Sequence, residues 1–126
     1  MTTAENTRLI ELVGKARAMQ PWLRERAAAV EEARSVPRET IDAFREAGFF
    51  RMYQPRALGG YEMPPAVFGE VVEQVAAACG SSGWVLAVLA LHSWEVPHLS
   101  PRAQNDIWGR DREALLSSAY APTGRV

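Results

Sequence analysis

The chain has 126 residues, 48% hydrophobic and 23% charged, a composition typical of a single globular domain with its own core. Its net charge of −1 provides no electrostatic attraction to nucleic acid or to an anionic membrane surface, so neither is expected as a partner. Cys79 is the only cysteine, which excludes an internal disulfide and a Cys-x-x-Cys metal site and favours a cytoplasmic location.

The N-terminal part of the chain shows the spacing of amphipathic helices. The apolar pattern predicts helices over residues 7–19 and 22–34, with Thr7 as the first N-cap. Pro21 lies between them and is expected either to kink one helix or to open a second one.

A third predicted helix begins near Pro37 and is followed by a loop. Gly48 is well placed to end this helix in a left-handed conformation. Residues 54–65 are rich in proline and glycine and are predicted to be loop. The pair Gly59-Gly60 is interpreted as a tight turn, because the other residues of a phosphate-binding loop are missing.

Three further helices are predicted in the second half. The first runs from residue 65 or 66 to about 79, with Val67, Val71, Val75 and Ala78 on one face. Residues 80–83 are expected to separate it from the next helix. The second contains the run 84–91, which is apolar on all sides and is therefore expected to be buried. Ser100 and Pro101 are expected to open a short helix that ends at Trp108.

The end of the apolar run carries the first candidate for chemistry. His92 follows the run directly and is accompanied by Ser93 and Trp94. A buried helix that presents an imidazole, a hydroxyl and an indole together would form a suitable wall for a substrate pocket. The alternative, which the residues leave open, is that His92 only forms a hydrogen bond at a helix end.

The C-terminal stretch carries the second candidate. Residues 115–120 are predicted as a strand, which runs into a Pro-Thr-Gly loop. The backbone N–H groups and hydroxyls of such a loop would suit the polar edge of a planar heterocycle, and an ordinary strand-to-turn junction remains equally open. Because a single strand is not a stable sheet, we expect its partners to lie in a longer chain or in another chain.

Four segments together resemble one known family. In order and spacing they are similar to the N-terminal region of the flavin monooxygenases with the acyl-CoA dehydrogenase fold, and more narrowly to the oxygenase components of two-component aromatic hydroxylases. The segments are residues 48–55 with 58–61, residues 77–84, residues 92–94, and residues 107–109 leading to 117–125.

The resemblance implies a fold and a reaction. The fold is an all-α N-terminal domain over residues 1–113, with residues 114–126 starting a central β-domain that is cut short. The reaction is hydroxylation of a phenolic or other aromatic substrate by O2 and reduced FMN or FAD. A separate flavin reductase would supply the flavin by diffusion, and the full-length enzyme would be a homotetramer.

The resemblance also implies roles for individual residues. His92 would hydrogen-bond to the phenol and assist its deprotonation, and the Ser118 hydroxyl would contact the flavin. The side chains expected to shape the substrate pocket are Trp84, Ser93 and Trp94, and those expected to line the flavin are Tyr120, Ala121, Pro122 and Thr123.

Two other functions are carried as alternatives. One is an acyl-CoA dehydrogenase-like flavoenzyme on the same fold, whose glutamate base would lie beyond these residues. The other is a non-catalytic, truncated helical domain.

Overall fold

The fold of the chain is all helical, as predicted from the sequence. A computed structural model describes residues 1–118 and 123–124. Short 3-10 helices lie in the connecting segments, at Phe49–Arg51, Arg56–Leu58, His92–Trp94 and Val96–His98. Within the described residues, no helix is long and apolar enough to cross a membrane. The α-helices are α1 (Thr3–Ala33), α2 (Arg38–Ala47), α3 (Pro65–Ala78), α4 (Gly80–Leu91) and α5 (Pro101–Trp108).

The first two predicted helices form one helix of 31 residues, α1. The prediction of Thr7 as N-cap is wrong, because the N-cap is Thr2, five residues earlier, and forms a capping box. Thr2 Oγ1 accepts the Glu5 N–H at 3.2 Å, and the Glu5 carboxylate accepts the Thr2 N–H at 2.8 Å. Pro21 lies inside α1 on its exposed side, where water can hydrate the carbonyl that the missing proline N–H leaves without its helical partner.

Helix α2 ends as predicted. Gly48 adopts φ 84°, and its N–H bonds the carbonyls of Phe44 and Arg45. A Cβ at this position would lie 2.5 Å from the Tyr61 hydroxyl, so both the backbone conformation and the space require glycine. Gly59, also predicted to lie in a turn, has φ 91°.

Helices α3 and α4 meet in a tight corner. Helix α4 begins at Gly80, so the predicted separator 80–83 is wrong as a loop and is the first turn of the helix. The N-cap is Cys79, whose side chain makes no capping hydrogen bond, and Ser82 is buried. At Gly83 a Cβ would lie 2.5 Å from the Ala76 Cβ and 2.6 Å from its Cα, which means that the two helices touch through their backbones.

The core lies where α3 packs between α1 and α4. Val67, Val71 and Val75 form the predicted inward face of α3, and each is fully buried. The Phe44 and Phe49 rings, with centroids 5.9 Å apart, extend this core beneath α2.

Ser100 caps α5 as predicted, because its hydroxyl accepts the Ala103 N–H at 3.3 Å.

The predicted C-terminal strand is not formed in its described part. Residues 115–118 are irregular, and the other two residues of the prediction, Ala119 and Tyr120, lie outside the described residues. A strand needs a neighbour to pair its N–H and C=O groups, and the described residues offer none at this position.

Candidate functional site

Helix α4 is only half buried, although its sequence is apolar on all sides. Leu86 and Ala90 point into the core, whereas Trp84 is 72% exposed and Leu91 is 39% exposed. Residues 84 and 91 are two turns apart and therefore share one face. The expectation that the whole helix is buried is thus wrong for this face, because within the described residues no element packs over it.

The residues that follow α4 separate into buried and exposed side chains. His92 and Ser93 are buried, with His92 only 2% exposed, and Trp94 is 54% exposed. The Trp94 ring meets the His98 ring edge-on, with centroids 4.8 Å apart. The 3-10 turn His92–Trp94 therefore directs the imidazole inward and the indole outward.

Within the part of the chain that the structure describes, two polar side chains lie beside the His92 ring. Glu95 Oε2 lies 3.4 Å from Nδ1, and Ser118 Oγ lies 3.4 Å from both Nδ1 and Nε2. The structure brings the two predicted site residues His92 and Ser118 together across 26 positions of the chain. Glu95 is not among the predicted site residues, although its position three residues after His92 on a helical turn is a signal for this contact.

This arrangement can hold and move a proton. If Nδ1–H donates to the Glu95 carboxylate, then Nε2 carries no proton and can accept a hydrogen bond from the Ser118 hydroxyl. Enzymes activate hydroxyl groups by a similar arrangement, in which a carboxylate orients an imidazole and the imidazole accepts the proton of the hydroxyl. The contacts of 3.4 Å are longer than ideal hydrogen bonds, as catalytic contacts often are before substrate binds.

Ser118 is exposed whereas His92 is not, so the hydroxyl is the part of this pair that faces solvent. Trp84, Leu91 and Trp94 form an exposed apolar ridge on α4 and the turn after it. Among the described residues, six large apolar side chains are exposed, and these three belong to them. Leu91 and Trp94 flank the polar pair at the C-terminal end of α4, whereas Trp84 lies near its N-terminal end, in a cleft with Val30 and Glu31 of α1.

The segment that carries Ser118 is anchored by side chains from other parts of the fold. The buried Gln54 amide donates to the Arg112 carbonyl at 2.8 Å and to the Leu58 carbonyl at 3.1 Å. The Trp108 indole N–H donates to the Ala114 carbonyl at 3.2 Å. Arg51 and Glu113 form an ion pair beside them.

The remaining predicted site residues are only partly described. Thr123 is exposed, and Tyr120, Ala121 and Pro122 lie outside the described residues. No group of three or more side chains able to hold a metal ion occurs in residues 1–118 and 123–124.

Comparison with known proteins identifies the fold family. The family described as acyl-CoA dehydrogenase, N-terminal domain, matches residues 10–108. The chain therefore belongs to the acyl-CoA dehydrogenase N-terminal domain family, as the four segments predicted.

The relatives that the chain resembles are oxygenases. It is 44% identical over 107 residues to the flavin-dependent monooxygenase, oxygenase subunit HsaA, of Rhodococcus jostii (strain RHA1), covering 85% of this chain and 28% of that protein. It is 39% identical to the FADH(2)-dependent resorcinol hydroxylase, oxygenase component, of Rhizobium sp. (strain MTP-10005), covering 90% of this chain and 28% of that protein. The chain thus spans a little over a quarter of the length of these relatives.

A solved structure agrees with the sequence comparison. The crystal structure of 3-HSA hydroxylase from Rhodococcus sp. RHA1 matches with a TM-score of 0.86 and 42% identity, covering 89% of this chain and 29% of that one.

Proposed function

We propose that this chain is the N-terminal helical part of the oxygenase component of a two-component flavin-dependent monooxygenase. The substrate class is a phenol or a related aromatic compound, which is hydroxylated with reduced FMN or FAD and O2. The observation that carries the proposal is the contact between buried His92 and exposed Ser118 beside the apolar ridge. The oxygenase relatives support the same reaction.

The residues of the site fit a flat aromatic ligand. The ridge offers two indole rings, Trp84 and Trp94, against which an aromatic ring can stack, and the hydroxyls of Ser118 and Thr123 are exposed on the segment beyond them. Reduced flavin, when bound, supplies the electrons with which O2 is activated. The proposed flavin contacts of Tyr120, Ala121 and Pro122 belong to the same segment.

The polar pair would act on the phenol. The contact with His92 suggests a role for Ser118 beside the expected flavin contact: its hydroxyl would accept a hydrogen bond from the phenol hydroxyl, and His92 would take up a proton through the serine or directly from the phenol. Glu95 lies beside Nδ1, where its carboxylate would orient the imidazole and stabilise the positive charge that the ring acquires. Ser93, buried at the same turn, packs behind the pocket wall.

The proposal also includes a reductase partner and further domains that lie outside this chain. A separate reductase would deliver reduced flavin in the cytoplasm, and the complete oxygenase would assemble as a homotetramer with its β-domain starting at residues 114–126. A dehydrogenase-like flavoenzyme and a non-catalytic helical domain are less well supported, because both relatives described above are named hydroxylase or monooxygenase components.

A chimera tests the proposal directly. This chain replaces the matching N-terminal segment of the Rhizobium resorcinol hydroxylase, and the chimera receives reduced FAD, O2 and resorcinol. We expect hydroxylated resorcinol, and we expect His92→Ala to lower the product formed per FAD oxidised by about 10²-fold. His98→Ala is the matched control, because this exposed histidine contacts Trp94 but not Ser118.

The outcome separates the three functions. A chimera that folds and binds reduced FAD but forms no hydroxylated product would contradict the proposal. Oxidation of an acyl-CoA by the same chimera would favour the dehydrogenase-like alternative. A chimera that folds but does not bind flavin would favour the non-catalytic domain.

A further inference from the structure

The position of Ser118 requires an explanation, because its own contacts with His92 are weak. Both distances are 3.4 Å, at the long end for a hydrogen bond, and Ser118 belongs to an irregular segment on the surface. Contacts of this length do not by themselves hold a loop in one place. The segment must therefore be held elsewhere.

The strongest anchors of this segment are two buried donors. The Gln54 side chain is 2% exposed and the Trp108 side chain 1%, and both donate to backbone carbonyls of the segment at 2.8 and 3.2 Å. A buried donor that loses its acceptor cannot turn to water, so these bonds resist breaking more than exposed ones do. The two residues come from separate parts of the chain, the connector after α2 and the end of α5.

Further contacts point the same way. Arg51 pairs with Glu113, and Leu115 packs against the core. Residues 112–115 are thus fixed at each position by a side-chain or packing contact. Ala114 lies four residues before Ser118, so the serine stays within about 14 Å of an anchored carbonyl.

We propose that Gln54 and Trp108 form a clamp whose role is to place the Ser118 hydroxyl against the His92 imidazole. They are positioning residues, since neither contacts His92. The inference rests on the proposed function only for the reason why Ser118 must lie against His92. The contact between the two side chains can be measured without any catalysis.

The experiment observes the His92 ring by NMR in the 126-residue chain labelled with ¹⁵N and ¹³C. Ser118→Ala first defines the imidazole signals in the absence of the hydroxyl. Trp108→Phe then removes the indole N–H but keeps an aromatic ring, and Gln54→Met removes the amide donor at similar volume. Gln20→Met is the matched control, because the Gln20 amide donates to the Gln74 carbonyl at 2.8 Å, far from the segment.

We expect both clamp variants to move the imidazole ring signals by more than half of the shift that Ser118→Ala causes. The nuclear Overhauser effect between the Ser118 Hβ and His92 Hε1 protons should fall at least twofold, while Gln20→Met keeps the unmodified values. Unmodified signals in Trp108→Phe would overturn the clamp, and so would equal changes in Gln20→Met, which would show that the signals follow stability alone. If Gln54→Met does not fold, Trp108→Phe decides.

The test of the proposed hydroxylation is independent of the NMR test of the clamp. If the resorcinol hydroxylase chimera forms no product while the NMR shifts occur as expected, the clamp stands and the hydroxylase proposal falls. If the chimera is active and Trp108→Phe leaves the NMR signals unchanged, the clamp falls and the hydroxylase proposal stands.

Discussion

The corner between α3 and α4 decides where His92 lies, and Gly83 is the residue that closes it. In Gly83→Ala the added Cβ would lie 2.5 Å from the Ala76 Cβ and 2.6 Å from its Cα. Carbon atoms normally approach to about 3.5–4.0 Å, so the helices must separate by about 1 Å. Such overpacking costs about 1–3 kcal/mol, whereas alanine gains up to about 1 kcal/mol over glycine in a helix.

The matched control is Gly69→Ala in α3, where a Cβ would meet nothing within 4 Å. It gains the helix propensity without the clash. With the full helix-propensity gain, the net cost of Gly83→Ala is up to about 2 kcal/mol. At about 4 °C per kcal/mol for a chain of this size, Gly83→Ala should lower the midpoint of thermal unfolding by up to about 8 °C, and Gly69→Ala should raise it by up to about 4 °C. Circular dichroism at 222 nm, the standard helix signal, measures both. If Gly83→Ala stabilises the chain as much as Gly69→Ala does, the close contact of the two helices is refuted.

Three further outcomes are expected. Leu86→Ala, at a fully buried position of α4, should lower the free energy of unfolding by about 2–5 kcal/mol in urea, and a loss below about 1 kcal/mol would contradict its place in the core. The hydrogen bond from the Thr2 N–H lowers the pKa of the Glu5 carboxyl below its usual 4.5. The ionised carboxylate therefore stabilises the folded chain above pH 4.5, and this stabilisation is lost as the pH falls through the lowered pKa. Glu5→Gln should therefore flatten the decline of the unfolding midpoint below pH 4.5, and an unchanged acid profile would contradict the capping box. Because Trp84 is 72% exposed in the apolar ridge, Trp84→Ser should reduce concentration-dependent association in sedimentation velocity, and a chain that is monomeric throughout would argue against it.

Much of the helical layout could be predicted from local sequence. Gly48 ends α2 because only glycine readily adopts its positive φ, and Ser100 with Pro101 opens α5 by the usual capping chemistry. Periodicity placed the valines of α3 in the core. These features depend on a few neighbouring residues, so the sequence carries them directly.

The remaining features depend on contacts between distant parts of the chain. Pro21 does not divide α1, because the packing of α1 along α3 outweighs the loss of one hydrogen bond on the exposed side. Gly80 to Gly83 resembles a loop in sequence but forms a helical turn, since small residues allow α4 to approach α3. The apolar composition of α4 predicted burial on all faces and gave no sign of which face would stay uncovered.

The candidate site was predicted in its residues but not in its geometry. His92 and Ser118 were chosen from motifs that resemble a family, and only the fold shows that they meet. Glu95 was missed because a carboxylate three residues from a histidine is common on helical turns. Gln54 and Trp108 could not be found from the sequence, because a glutamine and a tryptophan acquire their role only through the carbonyls they bond.

The central claim is that His92 and Ser118 act as one unit on the substrate, and a double-mutant cycle tests it most directly. Product formed per FAD oxidised is measured in the resorcinol hydroxylase chimera for His92→Ala, Ser118→Ala and the double variant. If the two side chains form one proton path, the double variant should lose about as much product as the worse single variant. Losses that multiply, or the absence of any loss in either single variant, would show that the two residues do not work together and would contradict the account.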